Sequence, residues 1–228
     1  MSLIERSLNW FPPWAILCSV GFCLADLTQA SAADSETRDF TISIDGKKAG
    51  ECHVTFCRQD NGQLTVSGQA DVKVNYLVYS YTYSFRGIEV WKGGRLMRLT
   101  STANDNGKPL AVTAVADNQS LRINANGKER TCRPDVWTTT YWQLADAKLR
   151  NRAILLLDAD TAKEINGTLQ YVGTSPINVA GRAESCSHYR VTGGADAKLW
   201  YDARERLVRQ ESTEDGHKTL LELAQIHK

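Results

Sequence analysis

Covalent or proton-transfer chemistry needs a nucleophile, a base or a set of metal ligands at workable spacing, and this sequence is sparing with all three. Its four histidines stand far apart at His53, His188, His217 and His227. Cys186-x-His188 brings a thiol and an imidazole close, but in a strand residues i and i+2 share a face without any catalytic need. There is no G-x-S-x-G elbow to expose a serine nucleophile. Cys52-His53, Cys57, Cys186 and His188 are soft ligands, yet no C-x2-C or H-x3-H pair gives the spacing of a zinc site. Asp158-x-Asp160, with Lys163 and Asn166 after it, resembles a calcium loop in outline. Ala162 replaces a ligand there and Lys163 stands where the glycine turn belongs, so the segment reads as a hairpin end. Asp202-Ala203-Arg204-Glu205 offers two carboxylates where two strands need a solvated turn. Gly93-Gly94 and Gly193-Gly194 have no helix behind them to cradle a phosphate. The expectation is a non-enzymatic protein with no metal and no cofactor.

What the residues do offer is apolar surface. Leu77, Tyr79, Tyr81, Tyr83 and Phe85 alternate with Val78, Ser80, Thr82 and Ser84, which places a broad aromatic stripe on one face of a strand. Together with Trp91, Trp142 and Trp200 these are the candidate ligand-lining residues. Rings of this kind suit any half-buried pleated surface. A curved sheet bearing them either fills its hollow with its own side chains or leaves room for an apolar guest, such as a lipid or acyl chain.

The elements that must position the stripe are strands. Asn-Gly at Asn61, Asn106, Asn126 and Asn166, and Asp-Gly at Asp45 and Asp215, are dipeptides that tolerate positive φ at both centres of a type I′ turn. Between them lie apolar or alternating runs over 39–44, 51–57, 64–74, 76–85, 95–103, 110–116, 120–125, 168–172, 182–192, 198–202, 207–212 and 218–223. The apolar phase slips near Asn75 and Tyr76, which demands a turn or bulge there. Without a bend the run 64–91 would exceed about 85 Å, several times a usual strand. One helix is expected over 140–150, where Tyr141, Leu144, Ala145 and Leu149 fall at helical spacing behind a Thr140 cap. No βαβ alternation, internal repeat or low-complexity segment is present. The fold class expected is all-β: a strongly curved antiparallel meander, half-barrel or open barrel, with one short helix.

The first 32 residues read differently. Arg6 gives a weakly positive start, 14–25 is uncharged and mostly apolar, and Ala30-Ser31-Ala32 has the small-residue pattern of a signal-peptidase site, so cleavage is expected after Ala32. The apolar run is too short to anchor the chain, and Phe22 before Cys23 argues against lipidation. Residues 33–228 then form one domain in a periplasmic or secreted protein, with no membrane span in the mature chain. Over the whole chain 27 basic side chains face 26 acidic ones. That balance argues against nucleic acid and against polybasic membrane binding, both of which need a concentrated positive field. A protein partner, if any, leaves no signature.

Export permits disulfides among Cys52, Cys57, Cys132 and Cys186. Cys52 and Cys57 lie about 16 Å apart in an extended strand and cannot pair. Of the two remaining connectivities, strand alternation favours Cys57 with Cys186 and Cys52 with Cys132.

Glu89-Val90-Trp91-Lys92-Gly93-Gly94-Arg95-Leu96, Thr140-Tyr141-Trp142, Leu156-Leu157-Asp158, Leu199-Trp200-Tyr201-Asp202 and Leu207-Val208 together resemble a family of exported bacterial proteins known as a domain of unknown function. The resemblance spans about Phe40 to Leu223. It implies a bacterial envelope or secreted location and an all-antiparallel curved sheet. More loosely, the layout is similar to half-barrel carriers that shelter lipoprotein acyl chains in the periplasm. The function expected is a binder of an apolar ligand. The alternatives are an interaction module pairing through an open sheet edge and, behind it, a hydrolase.

Overall fold

The computed structural model describes residues 34–75, 80–214 and 216–228. The expected leader over 1–32, together with Leu77 and Tyr79 of the aromatic stripe, lies outside them. The strands run Asp34–Ile44 (β1), Lys47–Arg58 (β2), Gln63–Asn75 (β3), Ser80–Lys92 (β4), Arg95–Asp105 (β5), Lys108–Ala116 (β6), Leu121–Ala125 (β7) and Lys128–Cys132 (β8). They continue as Val136–Thr138 (β9), Arg152–Leu157 (β10), Glu164–Val179 (β11), Arg182–Gly193 (β12), Ala197–Tyr201 (β13), Leu207–Glu214 (β14) and His217–His227 (β15).

All fifteen belong to one sheet, ordered β8-β7-β6-β5-β4-β3-β2-β1-β15-β14-β13-β12-β11-β10-β9. The outer strands β8 and β9 are consecutive in the chain, joined by residues 133–135. Laid flat, fifteen strands would span about 65–70 Å at the usual interstrand spacing. Four Cα steps from Cys132 to Val136 reach about 14 Å at most. The sheet therefore has to bend round until its two edges nearly meet, as an open barrel. Side chains tie the gap: Arg130 on β8 donates to the Glu164 carboxylate and to the Ala162 carbonyl beside β11, and the Ser101 hydroxyl of β5 donates to the Ala159 carbonyl.

Local chemistry explains most of the hairpins. Asp45-Gly46, Asn106-Gly107 and Asn126-Gly127 have positive φ at both residues, as type I′ turns require. The Asn75–Ser80 pairing closes the β3–β4 ladder, so the phase slip marks a hairpin and the run 64–91 is two strands. Asn166-Gly167 departs from expectation. It lies within β11, where Gly167 pairs with both Ile154 and Gly193.

Three strands were not legible as such, namely β8, β9 and β10. Moreover β9 runs parallel to β10, so the sheet is not all-antiparallel. The chain leaves β9 beside the end of β10 and crosses the interior to enter β10 at its far end. This crossing segment is where a helix was expected. A single 3-10 turn, Ala147–Leu149, forms instead, capped by Asp146, and Tyr141 takes positive φ (+53°). Tyr141, Trp142, Leu144 and Ala145 are nearly all-round buried because walls of sheet surround them. Apolar spacing that mimics a helix here serves a plug inside a barrel, and the plug's polar groups find cross-barrel partners. Trp137 Nε1 donates to the Gln143 carbonyl (2.9 Å), and the Tyr201 hydroxyl donates to the Tyr141 carbonyl (2.8 Å).

Room for the plug comes from inward positions that lack side chains. Gly68 on β3 and Gly87 on β4 are paired neighbours. A Cβ on Gly68 would lie 2.3 Å from the Trp142 ring, and one on Gly87 would lie 2.5 Å from the Phe85 ring. Trp142 and Phe85 meet edge to face, 6.0 Å between centroids, so two rings occupy the volume that two ordinary side chains would fill.

Candidate ligand-binding cavity

The plug closes one end of the barrel. At that end Leu144, Ala145 and Leu149 pack under Trp91 and beside Gly94, whose added Cβ would meet Asp146. Arginines and carboxylates pair there. Arg206 bonds Asp202 (2.6 Å) and Glu36 (3.2 Å), Glu36 also accepts from Arg38 (2.7 Å), and the Arg38 guanidinium lies 3.7 Å over the Phe56 ring. Asp202 also accepts from the Arg204 and Arg206 amides. The expected Asp202-to-Glu205 turn is present with Ala203, Arg204 and Glu205 exposed, but Asp202 itself is buried, 6% exposed. Burial raises Glu36, yet its two arginines outweigh that and hold it below the ordinary carboxylate range.

At the other end the interior stays open as a cavity of about 680 Å³. Its apolar wall includes Ile42, Cys52, Val72, Phe85, Trp142 and Leu221. The rim includes the exposed residues Gly193, Asp196, Thr213 and Glu214, so the hollow meets solvent. Tyr81, Tyr83, Asp158 and Asp160 also line it. The Tyr83 hydroxyl donates to Asp160, and the Tyr81 hydroxyl donates to Asp105 (3.0 Å). Asp158 is engaged by its own turn, accepting from the Asp160 and Thr161 amides and the Thr161 hydroxyl. Burial pushes the Asp160 carboxyl up to about 6 against the pull of the Tyr83 hydroxyl, with Asp158, Glu214 and Asp105 adding to the rise. The same burial and the same acids drive the Tyr81 and Tyr83 phenols upward.

The candidate lining residues separate on inspection. Tyr81, Tyr83, Phe85 and Trp142 line this cavity. Trp91 shares the inward face of β4 but sits at the plugged end, where its Nε1 donates to Glu89 (2.8 Å). Glu89 is 1% exposed and also accepts from the Thr140 hydroxyl (2.8 Å); burial raises it, and those two donors lower it in part. Trp200 is on the opposite face of β13 from the buried Leu199 and Tyr201. It stacks on His188 (4.5 Å), faces the Arg209 guanidinium and donates to the Ser175 hydroxyl (3.1 Å). It is not part of the lining, since strand alternation sends it outward.

Among the described residues the four cysteines are free thiols, and neither favoured pairing forms. Cys52 points into the cavity from β2, and five strands separate β2 from β8, which carries Cys132. Cys57 faces away from inward Val54 and Phe56, and four strands lie between it and Cys186 on β12. Outward side chains on a convex sheet diverge, so that span cannot be bridged. Burial pushes Cys52 up to about 12 and Cys186 up to about 11, with Asp39 helping the first and Glu184 and Asp202 the second. Cys186 is buried, whereas Ala183 on the same strand is exposed. Beside it His188 has its Nε2 buried without a partner and its pKa lowered chiefly by burial. A neutral thiol beside such an imidazole is not a nucleophile–base pair. The other histidines tie strands together: His53 (2.7 Å) and His227 (2.6 Å) bond Asp39, and His217 bonds Asp45 (2.7 Å). Among the described residues no group of His, Cys, Asp and Glu is arranged to hold a metal ion, and no helix is long and apolar enough to cross a membrane.

Sequence reasoning missed the carboxylates of the mouth. The Asp158-x-Asp160 spacing was visible, but a hairpin end gives no hint that an open barrel curls it over a hollow.

The family described as Domain of unknown function (DUF6134) matches residues 40–224. No curated protein matches the chain. Among solved structures, a β-barrel-like protein of domain of unknown function DUF1849 from Brucella abortus is 10% identical, covering 84% of this chain and 96% of its own with a TM-score of 0.62. That likeness is one of fold. A putative outer membrane lipoprotein-sorting protein domain from Vibrio parahaemolyticus is 7% identical over 85% of this chain and 84% of its own, with a TM-score of 0.26, too low to carry an argument.

Proposed function

The chain belongs to the DUF6134 domain family, and we propose that it is an exported, non-enzymatic binder that shelters an apolar chain, such as an alkyl or acyl group, inside its barrel. One observation carries this reading: the plug stops short, leaving about 680 Å³ of interior, lined by apolar and polar side chains in similar measure, open at one end. Small-molecule sites occupy about 300–1,000 Å³ and combine apolar walls with a few convergent polar groups. Here Phe85, Trp142 and their neighbours supply the walls, and the polar groups gather at the mouth. The reading takes residues 1–32 as a leader removed on export.

The edge-pairing alternative has little edge to use. β8 is five residues long and charged, β9 is three residues long and buried, and Arg130 spans the gap between the two sides. A hydrolase would need an activated nucleophile, and the thiol best placed for one is held protonated by burial.

Native mass spectrometry and solvent extraction of protein purified from the cell envelope test the proposal. The expected result is a co-purifying chain-bearing compound and a protein mass that begins at Ala33. Ala70→Trp, which fills the hollow from β3, should abolish saturable binding of monododecanoylglycerol without unfolding the protein. A clean extract together with no saturable binding by the unaltered protein would end the reading.

A further inference from the structure

We infer that the occupant of this cavity carries a cationic head, an amine or quaternary ammonium on an apolar chain, and that the mouth selects against chains ending in a carboxylate or phosphate. The inference rests on the cavity reading above and adds the ligand class. Its basis is the chemistry of the lining. Asp158, Asp160, Asp196 and Glu214 all face the hollow or its rim, whereas among the described residues the lining contains no Lys, Arg or His.

A site for fatty acids or phosphorylated lipids places a guanidinium, an ammonium or a cluster of amide donors where the anionic head sits, because an anion taken out of water needs a compensating charge or donors. This mouth has the opposite sign. Arg190 bonds Asp196 (3.3 Å) from β12 and projects away from inward Tyr189 and Val191. Asp160 is part-buried and accepts from the Tyr83 phenol of β4, while Asp158 from its own turn, Glu214 from β14 and Asp105 from β5 oppose its ionisation. A cation entering along the apolar wall would meet Asp160 at the depth where its chain leaves Phe85 and Trp142, and the π faces of Tyr81 and Tyr83 add to its attraction.

Isothermal titration calorimetry with three probes of equal chain length separates the outcomes: dodecyltrimethylammonium, monododecanoylglycerol and dodecanoate. The cation should bind at least about tenfold more tightly than the carboxylate, the difference expected for one ion pair against one repulsion in a partly desolvated site. Because the ammonium charge does not titrate, its affinity should rise from pH 5 to pH 8 as Asp160, at about 6, ionises. Asp160→Asn should remove that rise and most of the preference for the cation over dodecanoate, with a cooperative urea unfolding transition showing that the variant is folded. Equal or tighter binding of dodecanoate would overturn the cationic class and leave the cavity reading standing. Failure of all three probes would overturn both.

Discussion

Two sets of carboxylates, one at each end of the barrel, are met by different partners, while Glu89, buried beside Trp91, accepts only from neutral donors. At the plugged end Glu36 and Asp202 are each met by arginine, in the chain Arg38–Glu36–Arg206–Asp202. At the open end Asp160 and Asp105 are met by the phenols Tyr83 and Tyr81. The first arrangement answers an ionised acid with charge and locks the strand starts of β1 and β14 together. The second leaves negative charge without a resident counter-charge beside a hollow. Arrangements of the first kind serve specificity of the fold, whereas uncompensated charge at a cavity is the usual mark of a site poised for a ligand.

The sharpest way to break this comparison is at the plugged end. Arg206→Met should cost about 3–5 kcal/mol in urea unfolding, because it leaves buried Asp202 without its cation and Glu36 with Arg38 alone. A loss below 1 kcal/mol would mean that the two ends are not energetically different. Next in size is the packing between them. Gly68→Ala drives a methyl into the Trp142 ring and should cost about 1–3 kcal/mol, with the near-UV circular dichroism of the indole altered.

Asp160→Asn should go the other way, raising stability by about 1 kcal/mol at pH 7, since it removes an acid whose ionised form is penalised by burial. The sign follows from proton binding. A carboxyl raised to about 6 in the fold, above its unfolded value, favours the folded state fully at low pH and loses that contribution as pH rises through about 6. The unaltered protein should therefore lose stability between about pH 4 and pH 6 relative to the variant. Glu36, held low, contributes in the reverse sense: its stabilisation is present at neutral pH and is lost as pH falls below the ordinary carboxylate range. The smallest effect concerns the thiols. Iodoacetamide should modify half-buried Cys57 and Cys132 well before buried Cys52 and Cys186, as peptide mapping would show.

The alternation that made Tyr81, Tyr83 and Phe85 one face was legible because a strand has a fixed period and its neighbours are set by local turns such as Asn106-Gly107. The plug was not legible, since Tyr141, Trp142, Leu144 and Ala145 are buried by walls far away in sequence, and no period describes a segment enclosed on all sides. Trp200 failed for a related reason: an aromatic ring looks inward by composition, and its outward place comes from β13 alternating behind buried Leu199. The arginine clamp and the acidic mouth depend on the order of strands in the closed sheet, which pairings at long range decide.

The seam between β1 and β15 joins the two meandering arms, with Asp45 bonding His217 from 172 residues away along the chain. Each arm is built of neighbouring hairpins and can zip as it is synthesised, but the shell cannot be finished until the last of these strands has emerged. A ribosome pausing within β14 would leave β1 with its inward Phe40 and Ile42 uncovered and one long ladder unpaired. The late step is thus also the vulnerable one, and it is where a chaperone would be needed most.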